Sequence, residues 1–301
     1  MGTVHASSFR FHIARAVEEA SELLCGAGDP AVLAGGQSLV PLLRTRRRQP
    51  DLVVDITRIA TLRHVRDGPA TTGQAGRLVA GAAARQSEVL LGAVRAGQEL
   101  LAVALGTVGT ELTRRRGTIG GIIAHGDPAL QLAAVADVLR PTVVVTGPGG
   151  VRTVPGPQFF TGRPLGPGDV VTEILFPAGA GGAGWGFARI AHRSTGPQLA
   201  GAAARIAVDA AGRCTEARLA AYTLGHPGGL LTAAGADLLG VRPDEGAVAR
   251  AARTAAATIR TASDGLATAA YRRHAVQVLI RRALTQAVHR AGRAHQPAAA
   301  G

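Results

Sequence analysis

The sequence predicts an α+β protein of two domains, and three observations predict it. Its 301 residues exceed the roughly 150 that one domain usually takes. The first half alternates short β-branched runs with amphipathic helices and glycine turns, whereas the second is β-rich and then α-rich, the order of a separate α+β domain. Between the halves, AGAGGAGWG from Ala178 to Gly186 has the composition of a linker.

Taken in order, ARAVEEASELL from Ala14 to Leu24 carries apolar residues at helical spacing, and Gly26, Gly28, Asp29 and Pro30 stop it. Ala31 to Leu33 and DLVVDI, Asp51 to Ile56, read as short strands on either side of a glycine turn. Leu78 to Ala82 predicts another strand, leading into a helix from Arg85. A long helical pattern runs from about Glu99 to Leu112 and ends in Arg114, Arg115 and Arg116. Asp127 followed by Pro128 has the form of an N-cap and first helical position for a helix reaching Leu139. PTVVVTGPGGVRTVP predicts a hairpin bent at Gly147 to Gly150, and DVVTEILFP one more strand. Beyond the linker, GFARIAH, AAARIAVDAAG and ARLAAYTLG read as strands, and Leu230 to Leu239, Glu245 to Ile259 and Ala267 to Arg290 as helices.

Composition removes whole classes of chemistry. The chain has no Lys and no Asn, and its 33 basic residues are all Arg. A Schiff-base lysine, a P-loop lysine and a kinase-type lysine are therefore excluded. Cys25 and Cys214 are the only cysteines, too few for a disulfide framework or for the four thiolates of a two-iron cluster. No Cys/His spacing of a zinc site is present, so no metal is expected, and any redox centre must be organic or belong to a partner. The formal net charge is +13, but only 3% of residues are Phe, Trp or Tyr, which leaves little surface for stacking bases. The arginines point instead to a phosphate-bearing cofactor or an acidic protein partner, with no nucleic acid. No apolar stretch reaches the roughly 18 residues of a membrane span, and MGTVHASSFRFH lacks the basic-then-apolar pattern of a signal peptide, so a cytoplasmic protein is expected.

Two stretches share a form. In AGGQSL, the N–H groups of Gly35, Gly36, Gln37, Ser38 and Leu39 can turn toward one point, because glycine admits positive φ. In GTIGG, Thr118, Ile119, Gly120 and Gly121 repeat the arrangement, with the Thr118 hydroxyl matching that of Ser38. Two such loops suit the two sides of one diphosphate. Neither has the spacing of the G-x-G-x-x-G fingerprint, which disfavours a nicotinamide dinucleotide on that fold.

At these residues the chain resembles a known family. AGGQSLVPLLRTRRRQPDLVVDITRI followed by GTIGGIIAHGDP is similar to the FAD-binding loops of the medium, flavoprotein subunit of the molybdenum hydroxylases, the carbon monoxide dehydrogenase and xanthine dehydrogenase group. FRFHIARAVEEASELL, LVAGAAARQSEVL and AAYRRHAVQVLIRRAL extend the likeness over nearly the whole chain. The resemblance implies a two-subdomain FAD-binding domain of the PCMH type over 1–177, split at about residue 57, then a C-terminal domain of antiparallel strands and helices over 187–290 and a flexible tail over 291–301. By motif, Ala34 to Ser38 and Thr118 to Ile122 would contact FAD, with Asp127 as a further candidate. The implied partners are a large molybdopterin subunit and a small iron–sulfur subunit, in a hetero-oligomer.

Some positions depart from the family's pattern. Arg114 and Arg115 stand where Arg-Asn is usual, Ile122 where a polar residue is common, and Gln131 where an acidic residue is expected to reach the adenosine ribose. Thr195, Gly196, Pro197 and Gln198 replace Gly-Asp-aromatic-Ala, which leaves Phe187 as the aromatic nearest the flavin ring. Trp185 and Phe187 read either as a cover for the flavin or as packing at the domain junction. His125 and Asp127 are close enough for proton transfer, yet a loop histidine and an acidic helix cap account for both. No residue is assigned as catalytic. Besides the subunit reading, the departures leave two others: a stand-alone flavin oxidoreductase acting on a small molecule, and a degenerate member without catalysis.

Overall fold

The computed structural model describes residues 9–68, 78–178, 182–193 and 196–294. A three-stranded parallel sheet opens the chain. It is built from β1 (Arg10–Ile13), β2 (Pro30–Leu33) and β3 (Leu52–Asp55) in the order β1-β3-β2, with helices α1 (Val17–Cys25) and α2 (Leu39–Arg44) between them. Helix α1 forms because Ala20 and Leu24 fall on one face while Glu18 and Glu19 occupy its first turn, where their charge suits the exposed N–H groups. That face closes on Leu52, Val54 and Ile56.

A short strand β4 (Val65–Arg66) and β5 (Leu78–Gly81) begin the second sheet. Five helices follow: α3 (Gln86–Arg95), α4 (Glu99–Gly106), α5 (Glu111–Arg116), α6 (Ile119–His125) and α7 (Gln131–Leu139). The sheet is completed by the hairpin β6 (Thr142–Gly147) and β7 (Gly150–Pro155), the one-turn helix α8 (Gln158–Thr161) and β8 (Val170–Phe176), in the antiparallel order β4-β5-β8-β6-β7. The predicted hairpin and its bend are as observed. The helix expected over Glu99 to Leu112 is two helices, because Gly109 takes φ +48 and Thr110 starts a new one by accepting a hydrogen bond from Thr113 N–H.

The third sheet is antiparallel, in the order β11-β10-β9, from β9 (Ala183–Ala191), β10 (Gln198–Val208) and β11 (Cys214–Thr223). Helices α9 (Thr232–Ala236), α10 (Glu245–Thr258) and α11 (Ala269–Ala294) follow. One face of the sheet buries Ala202, Ala204 and Ile206 against α10 and α11. Phe187, Ala203, Ala220 and Tyr222 on the other face join the core of the second sheet. Helix α7 is buried along its whole length between the two layers.

The expected linker is largely strand. Ala183 to Gly186 belong to β9, and a Cβ on Gly184 or Gly186 would run into the Ala287 or Ala283 carbonyl of α11. These glycines allow close helix-on-sheet packing. Residues 179–181 of that stretch, Thr195 of the departures, and 295–301 of the predicted tail lie outside the described residues; the tail before them continues α11 to Ala294. Trp185 and Phe187 pack the junction: Phe187 is core, and Trp185 Nε1 donates to Glu99 Oε2 at 2.6 Å.

Candidate functional site

The first glycine loop begins where β2 leaves its partner strand. Gly36 takes φ +70, a conformation that turns the chain back so that Val40 N–H reaches Gly36 O at 3.1 Å and α2 begins. Gln37 Nε2 donates to Gly35 O at 3.1 Å and stiffens the turn. Among the described residues, the N–H groups of Gly35, Gly36, Gln37, Ser38 and Leu39 have no partner within the chain. Five consecutive donors left open in a concave turn make a receptor for an anion.

The second loop is built differently, and the expectation of a matching set of open donors is corrected. Ile119 N–H bonds to Ala84 O at 3.0 Å, Gly120 N–H to Ala82 O at 2.9 Å, and Ile122 N–H to Thr118 O at 3.2 Å. Gly121 N–H donates to Thr118 Oγ1 at 3.1 Å, so Thr118 caps α6 with its oxygen and keeps its own proton for a further acceptor. The loop extends the edge of β5 and then enters a helix. Backbone pairing uses the Ile119 and Gly120 donors, and the Thr118 side chain takes that of Gly121.

The two loops touch. A Cβ on Gly35 would stand 2.5 Å from Arg116 O and 2.9 Å from Thr118 N, and one on Gly121 would stand 3.6 Å from the Ala34 Cβ. Both loops line one cleft of about 500 Å³, to which Ala34, Gly35, Gly36, Gln37, Ser38, Leu39, Thr118, Gly120, Gly121 and Ile122 all contribute. Ile119 does not: its side chain is fully buried in the core beneath α6. Nor does Asp127, and it does not cap α7 either, because that helix starts at Gln131 after Leu130. Its Oδ1 instead accepts Ala129 N–H at 2.8 Å in a local turn. His125 lines the cleft and Asp127 does not.

The cleft suits a long, doubly anionic molecule with flat ends. The open N–H donors suit a charged group, and Val32, Leu42, Ile56, Val108, Leu130 and Val171 add apolar walls to the same cleft. A side chain on Gly35 would push the two loops apart, whereas one on Gly120 would run into Ala82 just after β5 and displace α6. Sequence reasoning missed Arg48, Gln86, Thr113, Asp169 and Val170, which come to the cleft from four separate segments. Of these, Gln86 carries a signal: a buried amide at a helix start, 4% exposed, whose Nε2 reaches Thr118 O at 3.4 Å.

Other polar groups lie outside this lining. Asp137 is buried under the C-terminal sheet, and burial lifts its carboxyl to about 6 although Gly229 N–H donates to it at 2.9 Å. Burial holds His226 below the usual imidazole range and Tyr222 above the usual phenol range. Among the described residues no group of His, Cys, Asp and Glu could hold a metal ion.

Comparison with known proteins places these features in context. Residues 7–179 match the model of an FAD binding domain in molybdopterin dehydrogenase, and residues 189–287 that of a CO dehydrogenase flavoprotein C-terminal domain. The carbon monoxide dehydrogenase medium chain of Hydrogenophaga pseudoflava is 34% identical over 285 residues, covering 93% of this chain and 96% of its own length. The 6-hydroxypseudooxynicotine dehydrogenase complex subunit alpha of Paenarthrobacter nicotinovorans is 30% identical, covering 94% and 96%. Among solved structures, a carbon monoxide dehydrogenase from Hydrogenophaga pseudoflava superimposes with a TM-score of 0.87 at 34% identity, over 95% of this chain and 99% of that one. Quinoline 2-oxidoreductase from Pseudomonas putida 86 gives 0.86 at 26% identity, over 96% and 99%.

Proposed function

The chain belongs to the FAD-binding medium subunits of the molybdenum hydroxylases, and from that premise we propose that it holds one FAD across its two glycine loops. Its function is electron transfer within a molybdenum-containing dehydrogenase, from an iron–sulfur partner through FAD to an acceptor. The partners are a large molybdopterin subunit and a small iron–sulfur subunit, so the working form is a hetero-oligomer. Both the substrate and its oxidation belong to another chain.

One observation carries the site assignment: five open N–H donors of the first loop share a single cleft with the Thr118 hydroxyl of the second. Gly35 to Leu39 would hold the diphosphate. Thr118 and Gly121 would close on its other side, and Ala34, Gly120 and Ile122 would supply contact without charge. Ile119 and Asp127 act at one remove, Ile119 by fixing α6 in the core and Asp127 by setting the turn after it. Bound there, FAD supplies the hydride and single-electron chemistry, and the chain supplies position and electrostatics.

We propose an FAD-binding domain over 1–177 and a C-terminal domain that takes in the whole of β9 and α11, wider at both ends than the expected 187–290, and we place the complex in the cytoplasm. No described helix is long and apolar enough to cross a membrane, and Cys25 and Cys214 are both free thiols. No feature of the cleft favours a stand-alone oxidoreductase or a member that has lost its cofactor.

The test is flavin content. The complex purified with its partners should show flavin absorbance at one FAD per medium chain, and bulky replacements at both Gly36 and Gly120 should abolish it. Full flavin content after both changes would end the assignment.

A further inference from the structure

The cleft has one feature that neither glycine loop explains. Among the described residues Arg48 is the single arginine in its lining, and it is held from three directions. Its Nη1 pairs with the Asp29 carboxylate, and its Nη2 donates to Pro30 O at 3.0 Å. Its backbone N–H and that of Arg47 both reach Leu42 O at the end of α2. Asp29 is itself fixed: Asp51 accepts hydrogen bonds from Gly28 and Asp29 N–H at 3.0 Å each, and Asp51 N–H returns one to Asp29 O at 3.1 Å. Two bonds to one turn restrain the plane of a guanidinium that borders the cleft.

The position of that plane along the cleft is set by β2. Arg48 lines the cleft together with Ala31 and Val32, and Val32 stands three residues before Gly35, about 10 Å back along an extended chain. This is away from the open donors of the first loop, in an arm walled by Val32, Leu42 and Ile56. The opposite arm, at His125 and Leu130, adjoins the C-terminal domain, where a Cβ on Gly228 would come 3.7 Å from Pro128. A guanidinium whose charge is already matched by Asp29 offers its flat face more than free charge, and that suits an uncharged planar ring.

We infer that Arg48 is an adenosine-binding residue, its guanidinium forming the stacking face for the purine while Asp29 holds it in plane. This rests on the FAD assignment above and deepens it, because it fixes which half of the cofactor occupies the β2 arm. Asp29 is a positioning residue.

The full chain, stripped of nucleotide, tests it by equilibrium binding of FAD, ADP and FMN. Arg48→Met keeps the apolar stem and removes the planar cation; it should weaken FAD and ADP alike by about tenfold. FMN affinity and the visible spectrum of bound flavin should not change. Asp29→Asn, which leaves Arg48 in place, should weaken ADP by a smaller factor and serves if the Met variant folds poorly. Unchanged ADP affinity in both variants overturns the inference, as does an equal loss of FMN and FAD, which would put Arg48 on the flavin half. Failure of the unsubstituted chain to bind FAD or ADP is a different result and overturns the cleft assignment itself.

Discussion

Gly35 and Gly117 lie backbone against backbone: a Cβ on Gly35 would stand 2.6 Å from the Gly117 Cα. Nothing flexible sits on either side of that contact, so the first loop cannot admit a side chain here without the two loops parting. Gly35→Ala is expected to cost about 1–3 kcal/mol and to lower flavin occupancy further than stability. Gly149→Ala is the control, since a Cβ there meets nothing within 4 Å. Denaturant unfolding beside flavin absorbance per chain separates the two effects. Equal occupancy in the two variants would show that the loops do not need their contact.

Thr118 caps α6 by accepting Gly121 N–H, and the same hydroxyl keeps a proton to donate on a residue that lines the cleft. Thr118→Val removes both and is expected to cost about 1 kcal/mol of stability from the cap, with weaker FAD binding besides. Thr118→Ser should restore both. Loss of binding in the Ser variant would mean that the methyl group, buried with the rest of Thr118, matters more than the hydroxyl.

How much of this was legible beforehand depends on sequence distance. The first loop and the hairpin bent at Gly147 to Gly150 are local patterns and appear where the sequence put them, and the strands of the C-terminal sheet appear with starts three to four residues earlier than their patterns suggest. The second loop was misjudged because its donors are used by Ala82 and Ala84, more than 30 residues away, and strand pairing of that kind leaves no local mark. For the same reason Arg48 and Val170 were missed: each enters the cleft on a segment whose placement depends on sheet order, β1-β3-β2 in one case and β5-β8-β6 in the other. Asp127 illustrates a different limit. Asp-Pro fits both a helix N-cap and an Asx turn, and only the start of α7 at Gln131 decides between them.

The chain's single tryptophan joins its two halves. Trp185 Nε1 donates to Glu99 on α4, and the Arg290 guanidinium of α11 lies 3.8 Å from its ring centroid while also donating to Trp185 O at 2.7 Å. Arg290→Ala is expected to destabilise by about 1 kcal/mol, and Glu99→Gln to shift the emission of Trp185. Because no other tryptophan contributes, the emission reports this junction directly. A double-mutant cycle over Glu99 and Arg290 should show coupling through the ring; strict additivity would mean that the two contacts act separately.

The stability of the chain should fall as pH rises through the range in which Asp137 ionises. Burial raises its carboxyl to about 6, while Gly229 N–H and the Arg140 charge oppose that rise only in part. Below about pH 4 the carboxyl is neutral in the folded and unfolded chain alike, and the native state carries no penalty from it. Between about pH 4 and pH 6 the unfolded chain releases the proton first, so ionisation favours unfolding, by up to about 3 kcal/mol once the folded carboxyl is also charged. Asp137→Asn keeps an oxygen for Gly229 N–H and removes the titration. The difference in unfolding free energy between the two proteins, followed from pH 4 to pH 7, should therefore grow in favour of the Asn variant and then level off. A flat difference across that range would show that Asp137 is not desolvated in the folded chain, and an opposite slope would show that its partners outweigh burial.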